Sequence, residues 1–187
     1  MDSGKGTRVP PTMIDDLSRE PPLATVGTPW RLVTDQVMGG LSVGTMTRET
    51  IAGRTAIRLR GDVRLENDGG FVQIALDLAP GGRVVDASAW CGIELDVFGN
   101  DEEYAVHLRT DALIRPWQSY RQGFTAAAAW RTLHLSFDRF VAHRTDMPLD
   151  TRRLRRLGVV AIGRAFSPDL ALAGVRFMAS PTNSNAR

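Results

Sequence analysis

The sequence is short of the features that most quickly fix a function class. It holds one cysteine in 187 residues, Cys91, and a single thiol excludes an internal disulfide framework. Lysine is almost missing: Lys5 is the only one, and the other 22 of the 23 basic residues are arginine. The formal charge of +2 is too small to favour nucleic acid as a partner. No apolar run approaches the roughly 20 residues that span a bilayer, so no membrane span is expected. The three histidines, His107, His134 and His143, lack the spacing of a zinc site. No metal and no other cofactor is expected. The first 22 residues are polar and proline-rich and lack the apolar centre of a secretory signal. Asp2, Asp15, Asp16 and Glu20 argue against a mitochondrial leader. The expected localisation is cytoplasmic.

Long amphipathic helices are missing as well, and what is there alternates at a period of two. Ile57 and Leu59 oppose Arg58 and Arg60; Ile93, Leu95 and Val97 oppose Glu94 and Asp96; Tyr104, Val106 and Leu108 oppose His107 and Arg109. Alternation of this kind places one row in a core and the other in solvent. Leu157–Ile162 is an unbroken apolar run, which fits a strand covered on both faces. Nine to eleven short strands separated by Gly, Pro, Asn and Asp predict an all-β chain, a β-sandwich or jelly roll. Residues 1–25 are expected to be a flexible tail, 26–178 a single β-sandwich domain, and 179–187 a disordered tail. The stretch from Gly61 to Ile74 reads as strand, turn, strand. Val63 and Leu65 point inward, and Asn67-Asp68-Gly69-Gly70 supply a tight hairpin turn.

Several motifs look like chemistry. Gly40-Leu41-Ser42-Val43-Gly44 matches G-x-S-x-G, but the elbow of a hydrolase needs a strand, a strained turn and a helix. Here the β-branched residues Val43, Thr45 and Thr47 follow, so a loop serine is the preferred reading. The carboxylates Asp62, Glu66, Asp68, Glu94 and Asp96 suit a calcium site. They suit a solvated face paired with Arg58, Arg60 and Arg64 better, because exposed strand faces alternate charge. Arg152-Arg153-Leu154-Arg155-Arg156 is read as a solvated strand entry. Arg109, Arg115, Trp117, Tyr120, Arg121, Gln122 and Trp130 form an aromatic–arginine group of the type enriched in interfaces, and also suited to stacking on a sugar; Trp130 is read as core.

Taken in order, Trp30…Asp35-Gln36-Val37-Met38-Gly39-Gly40-Leu41-Ser42, Leu65-Glu66-Asn67-Asp68-Gly69-Gly70-Phe71, Tyr120-Arg121-Gln122-Gly123-Phe124 and Trp130…Leu135-Ser136-Phe137 resemble the complex I intermediate-associated protein family. The resemblance implies a galactose-binding-like β-sandwich, in agreement with the strand count. It also implies an assembly-factor or chaperone-like role without catalytic residues. The partner it suggests is a protein, such as respiratory-complex subunits or a short-chain dehydrogenase-like protein. Asp68 stands where the family has a second Asn.

Two function classes follow. One is a non-catalytic protein-interaction domain, and the other is a module binding carbohydrate or another small ligand. The binding residues expected are Asp35, Ser42, Asn67, Arg109, Trp117, Tyr120, Arg121 and Gln122, gathered near one surface. Gly39, Gly40, Gly69 and Gly70 are expected to shape turns.

Overall fold

The computed structural model describes residues 12–180. Among them there is no α-helix, and twelve strands form two antiparallel sheets packed face to face. In the first sheet the order is β3 (Val43–Ile51), β4 (Arg54–Asp62), β12 (Asp169–Met178), β6 (Gly92–Phe98), β9 (Arg131–Ser136). In the second it is β10 (Val141–His143), β8 (Ser119–Ala126), β7 (Glu102–Thr110), β11 (Leu154–Ile162), β5 (Phe71–Asp77), β2 (Arg31–Thr34). The all-β sandwich expected from the alternation is therefore what the chain adopts. Its core is built from the inward rows, Ile57, Leu59, Ile93, Leu95 and Val97 of one sheet against Ile74, Leu76, Val106, Leu108, Leu157 and Val159 of the other. The apolar run of β11 is buried on both faces: Val160 is 1% exposed although it sits on the side away from the core.

β12 changes which of its positions face inward. Leu170 and Leu172 are buried, then Val175 and Phe177, and the register with β6 shifts between Leu172 and Gly174. One extra residue in a strand has this effect. The first half of β12 pairs β4 over Asp169–Leu172. Beyond the shift a short strand, β1 (Met13–Asp15), takes over its open edge through Met13 and Asp15 against Arg176 and Val175.

That strand corrects the expected tail. Residues 12–25 are packed on the domain, with Ile14 and Ala24 fully buried. The anchor is Asp15, itself 0% exposed. Its Oδ1 accepts from the Leu17 and Thr25 amides (3.0 and 3.1 Å), and its Oδ2 accepts from Trp30 Nε1 at 2.7 Å. Proline composition argued for a tail because it breaks helices. It does not prevent an extended segment from closing a sheet edge. Residues 1–11 and 181–187, the remainder of the two expected tails, lie outside the described residues.

The second correction concerns Gly61–Ile74. β4 and β5 belong to different sheets, so this stretch is a crossover between layers and not a hairpin. The alternation in β4 and β5 is right, but period-two patterning carries no information about which strand pairs with which. Val63 is buried while Leu65 is 49% exposed, because the chain turns over the rim between them.

Removing the Asp15 carboxylate leaves three buried or half-buried N–H donors unpaired. Asp15→Ala is expected to lower stability by about 2–4 kcal/mol and to expose the following segment. Limited trypsin digestion, read by mass spectrometry, should then show faster cleavage at Arg19 than in the parent.

Candidate functional site

The expected binding residues separate into two groups at opposite edges of the second sheet. The first gathers around Asp35, directly after β2. The second lies on β7 and β8 and the loop between them. Four strand spacings separate β2 from β8, roughly 19 Å, so the two groups do not form one cluster of touching side chains.

The Asp35 group is a built arrangement. Asp35 is 0% exposed. Its Oδ1 accepts from the Ser42 amide at 3.0 Å. Its Oδ2 accepts from Ser42 Oγ and the Gly70 amide, both at 2.5 Å, and from the Phe71 amide at 3.3 Å. Ser42 Oγ in turn accepts the Arg64 amide at 2.9 Å. Asn67 holds a left-handed backbone (φ 59°) and its Nδ2 donates to the Gly39 carbonyl at 3.2 Å. Gln36 Nε2 donates to the Ser42 carbonyl at 3.0 Å. The ends of β2 and β4 and the starts of β3 and β5 are thus tied together at one rim.

Burial pushes the Asp35 carboxyl up, but the hydrogen bonds from Ser42 Oγ, Gly70 N–H, Ser42 N–H and Phe71 N–H outweigh it and the net shift is downward. Two glycines exist to make room for this carboxylate. A Cβ on Gly40 would stand 2.3 Å from Asp35 Oδ1, and one on Gly69 would stand 2.5 Å from Oδ2. Neither has positive φ; Gly39 (84°) and Gly70 (128°) do. Shape at the first pair is a matter of space, at the second of backbone conformation.

Asp35 and Ser42 are therefore scaffold residues and not contacts for a partner. Ser42 is fully buried and its hydroxyl is committed to Asp35 and Arg64, which removes it as a nucleophile. Outward the scaffold presents the exposed polar side chains of Gln36, Arg64, Glu66, Asn67 and Asp68 together with several apolar ones. Val37 is 73% exposed, and Met38, Leu41, Val43 and Leu65 lie between 44% and 56%. Beside them an open groove of about 420 Å³ runs between the edge strands β2 and β3, lined by Leu32, Val33, Thr34, Gln36, Val37, Val43 and Gly44.

The second group does not form the expected platform. Tyr120 is 1% exposed, and its hydroxyl donates to the backbone carbonyls of the 147–148 loop (Met147 at 3.0 Å). It belongs to the core, since it shares the inward parity of Leu108, its register partner. Gln122 follows with the same parity, and its Oε1 is buried without a partner among the described residues. Arg109 is enclosed by its own loop: Nη1 donates to the carbonyls of Arg115, Pro116 and Gln118 (2.8, 3.0 and 2.7 Å) and Nη2 to that of Leu113 (3.0 Å). It shapes the β7–β8 loop and offers nothing to a partner. Trp117, on that loop, is 46% exposed with the Arg115 guanidinium 5.7 Å from its ring centre. Arg121 alone of this group faces outward with a free end, as its Nε donates only to Ser119 Oγ at 2.9 Å.

Of the carboxylates expected to pair with Arg58, Arg60 and Arg64, Glu66 does so with Arg64, whereas Glu94 and Asp96 have other partners. Glu94 and Asp96 are served by Arg176 at 2.6 and 2.9 Å, and Glu94 also by His134 at 3.1 Å. Asp96 is pushed up by burial but brought down to about 2 by Arg176, Thr132 and Arg54. Arg58 pairs with Asp169 and Glu49, Arg60 with Glu49, and Arg64 with Glu66. The basic cluster is largely neutralised: Arg152 by Asp150, Arg153 by Asp111 and Arg156 by Asp77. Among the described residues no group of three or more His, Cys, Asp and Glu side chains is placed to hold a metal ion. No helix there is long and apolar enough to cross a membrane.

Two antiparallel sheets packed face to face as a jelly roll are also the fold of carbohydrate-binding-module domains. The family 11 carbohydrate-binding module of a cellulosomal cellulase of Clostridium thermocellum superposes with a TM-score of 0.72 at 13% identity, over 95% of this chain and 99% of that one. The same organism's family 11 module in complex with a β-1,3-1,4-mixed-linked tetrasaccharide gives 0.68 at 13%, over 90% and 95%. An exo-β-agarase gives 0.59 at 9%, over 91% of this chain and 25% of the agarase. At these identities the likeness is one of fold. Family membership comes from the sequence: residues 22–171 match the profile of the complex I intermediate-associated protein 30 family, and the chain belongs to that family. Comparison with curated protein sequences gives no significant match.

Asp35→Asn puts N–H groups where four donors converge, and is expected to cost about 3 kcal/mol at neutral pH. Gly40→Ala should destabilise comparably or prevent folding. The folded carboxyl is depressed, so its contribution is complete above the unfolded value near 3.9 and is lost as pH falls from there through the folded pKa. Urea melts of parent and Asp35→Asn should therefore differ by a constant amount above about pH 4 and converge below it.

Proposed function

We propose that the chain is a non-catalytic binding domain that engages a protein partner through the apolar rim of Val37, Met38, Leu41, Val43 and Leu65. The observation that carries this reading is the pairing of exposure with rigidity. Exposed apolar side chains that cluster mark interaction sites, and here they stand on a loop whose backbone is fastened by the buried Asp35. Binding by such a surface orders few further torsions, which spares part of the entropy cost of association. Family membership supports a role in assembly, with respiratory-complex subunits as partner. A short-chain dehydrogenase-like protein is the other candidate.

Carbohydrate binding is the second reading. The fold likeness favours it, as does the half-exposed Trp117 beside Arg115. The burial of Tyr120 removes the second ring of the platform it requires.

Val37→Asp/Met38→Asp changes exposed positions only, so stability should stay within about 0.5 kcal/mol per site. Tagged parent and variant would be purified from the native host and the co-purifying proteins identified by mass spectrometry. Recovery of respiratory-complex subunits with the parent, and their loss with the variant, is expected. An identical partner set from both, or no partner from either, would overturn the rim as the binding surface. A glycan array probed with parent and Trp117→Ala tests the second reading.

A further inference from the structure

One side of the sandwich is closed only in part by the described residues. Its edge strands are β2 and β3, one from each sheet. Residues 17–23 cover the first half. The Pro22 carbonyl accepts the Trp30 amide at 2.9 Å, and Leu23 faces Pro29 as an isolated antiparallel bridge. Arg48 of β3 donates to the Leu17 and Arg19 carbonyls at 3.1 and 3.3 Å. An extended stretch thus already runs antiparallel beside the start of β2, and β2 continues past it. The groove of about 420 Å³ lies along that continuation.

The hydrogen-bond parity of β2 fixes what the opening offers. The Gly163 amide donates to Gly70 and the Leu78 amide to Arg155, so the even-numbered residues of β5 bond to β11. Bonded pairs alternate in an antiparallel ladder, so the odd-numbered residues of β5 bond to β2. Their register partners there are Arg31, opposite Ala75, and Val33, opposite Gln73. Leu32 and Thr34 therefore turn their N–H and C=O groups to the open edge, where neither has a partner among the described residues. Leu32, Val33 and Thr34 all line the groove. Consecutive side chains of a strand point to opposite faces, so a groove lined by three in a row follows the strand edge. Its other wall is Val43 and Gly44 of β3, and Val37 lies with them. Val37 and Val43 also belong to the apolar rim, so groove and rim are continuous. β2 has no proline, no bulge and no inward charge, the devices that keep an edge from pairing.

We propose that the partner binds as a strand: an extended segment of a partner protein lies antiparallel to β2 and pairs with the backbone of Leu32 and Thr34. This mode rests on the rim being the partner-binding surface, and it adds the chemistry of what is bound there. Residues that exchange hydrogen bonds with Leu32 and Thr34 stand in the same pleat, so their side chains point the same way, into the groove. The segment therefore carries apolar side chains at i and i+2 and no proline at either position. Unpaired stretches of this kind are exposed in incompletely folded or assembled proteins.

The test is a ¹H–¹⁵N NMR titration of the full chain with the peptide acetyl-Lys-Ser-Val-Thr-Val-Ser-Lys-amide, with hydrogen exchange read on the same amides. In the free protein Leu32 and Thr34 are expected to exchange faster than Arg31 and Val33. The peptide is expected to slow both and to shift the amides of Val43 and Gly44. Methylating the backbone nitrogens of its two valines should weaken binding about tenfold or more. Methylating those of its threonine and serines, which face away from β2, should leave binding in place. Thr34→Pro removes one edge N–H and no bond to β5. It is expected to weaken peptide binding and to release the host proteins that co-purify with the parent. The methylated peptides decide the mode even if Thr34→Pro fails to fold. Full binding by the valine-methylated peptide, or no protection of Leu32 and Thr34, would overturn the proposal. So would protection that grows with protein concentration in the absence of peptide, since that is pairing with a second copy. Host proteins kept by a folded Thr34→Pro but lost by Val37→Asp/Met38→Asp would overturn the strand mode and leave the rim as the binding surface.

Discussion

One carboxylate, surrounded by N–H and O–H donors at a rim of the sandwich, holds four chain ends in place. Asp35 takes donors from the start of β3 and the start of β5, and through Ser42 it reaches the end of β4. Apart from a few further hydrogen bonds, such as Trp30 Nε1 to Asp15 and the Asp169 amide to Tyr104 Oη, the two sheets are joined by apolar packing, which is non-directional and tolerates sliding. A buried anion does not tolerate it, because each lost donor leaves charge unsatisfied in a region of low dielectric. The rim is thus the place where the layers are registered to one another. The glycines at 40 and 69 follow from it, since any side chain would occupy the space of the carboxylate.

That constraint also decides what the rim can offer. A loop with its polar groups turned inward must turn other side chains out, and those are Val37, Met38 and Leu41. The apolar knob and the buried acid are two sides of one arrangement. At the far edge of the second sheet the balance is reversed. There the apolar side chains, Tyr120 among them, go into the core, and the outer face keeps arginines. Three of these are satisfied locally, and Arg121 has no ion-pair partner among the described residues. The molecule therefore carries two chemically distinct surfaces, one apolar and one rich in arginine, on a fold shared with carbohydrate-binding modules and with a sequence belonging to the complex I intermediate-associated protein 30 family.

Much of this was legible before any coordinates. Alternation at period two gave the strands and most of the core rows, because a half-covered strand must separate its faces. The two Gly-Gly motifs marked the rim, and Asn67 and Asp68 its left-handed turn. Asp15 was missed because a lone acid in a proline-rich stretch has no periodic signal. The close approach of Gln73 to β11 did leave a trace in Gly158, since a glycine inside a strand marks close approach by another group.

The sequence by itself determined the fold class, the inward rows of β4 to β7, and the family, since these depend on local periodicity and on short motifs read along the chain. Only the tertiary structure decided that β4 and β5 part into different sheets, that Asp35 and Ser42 face inward, that Arg109 is enclosed and that Arg121 is left unpaired. Each of these depends on a partner distant in sequence. A side chain's type states what bonds it needs, but the packing of the two sheets states which groups are near enough to make them.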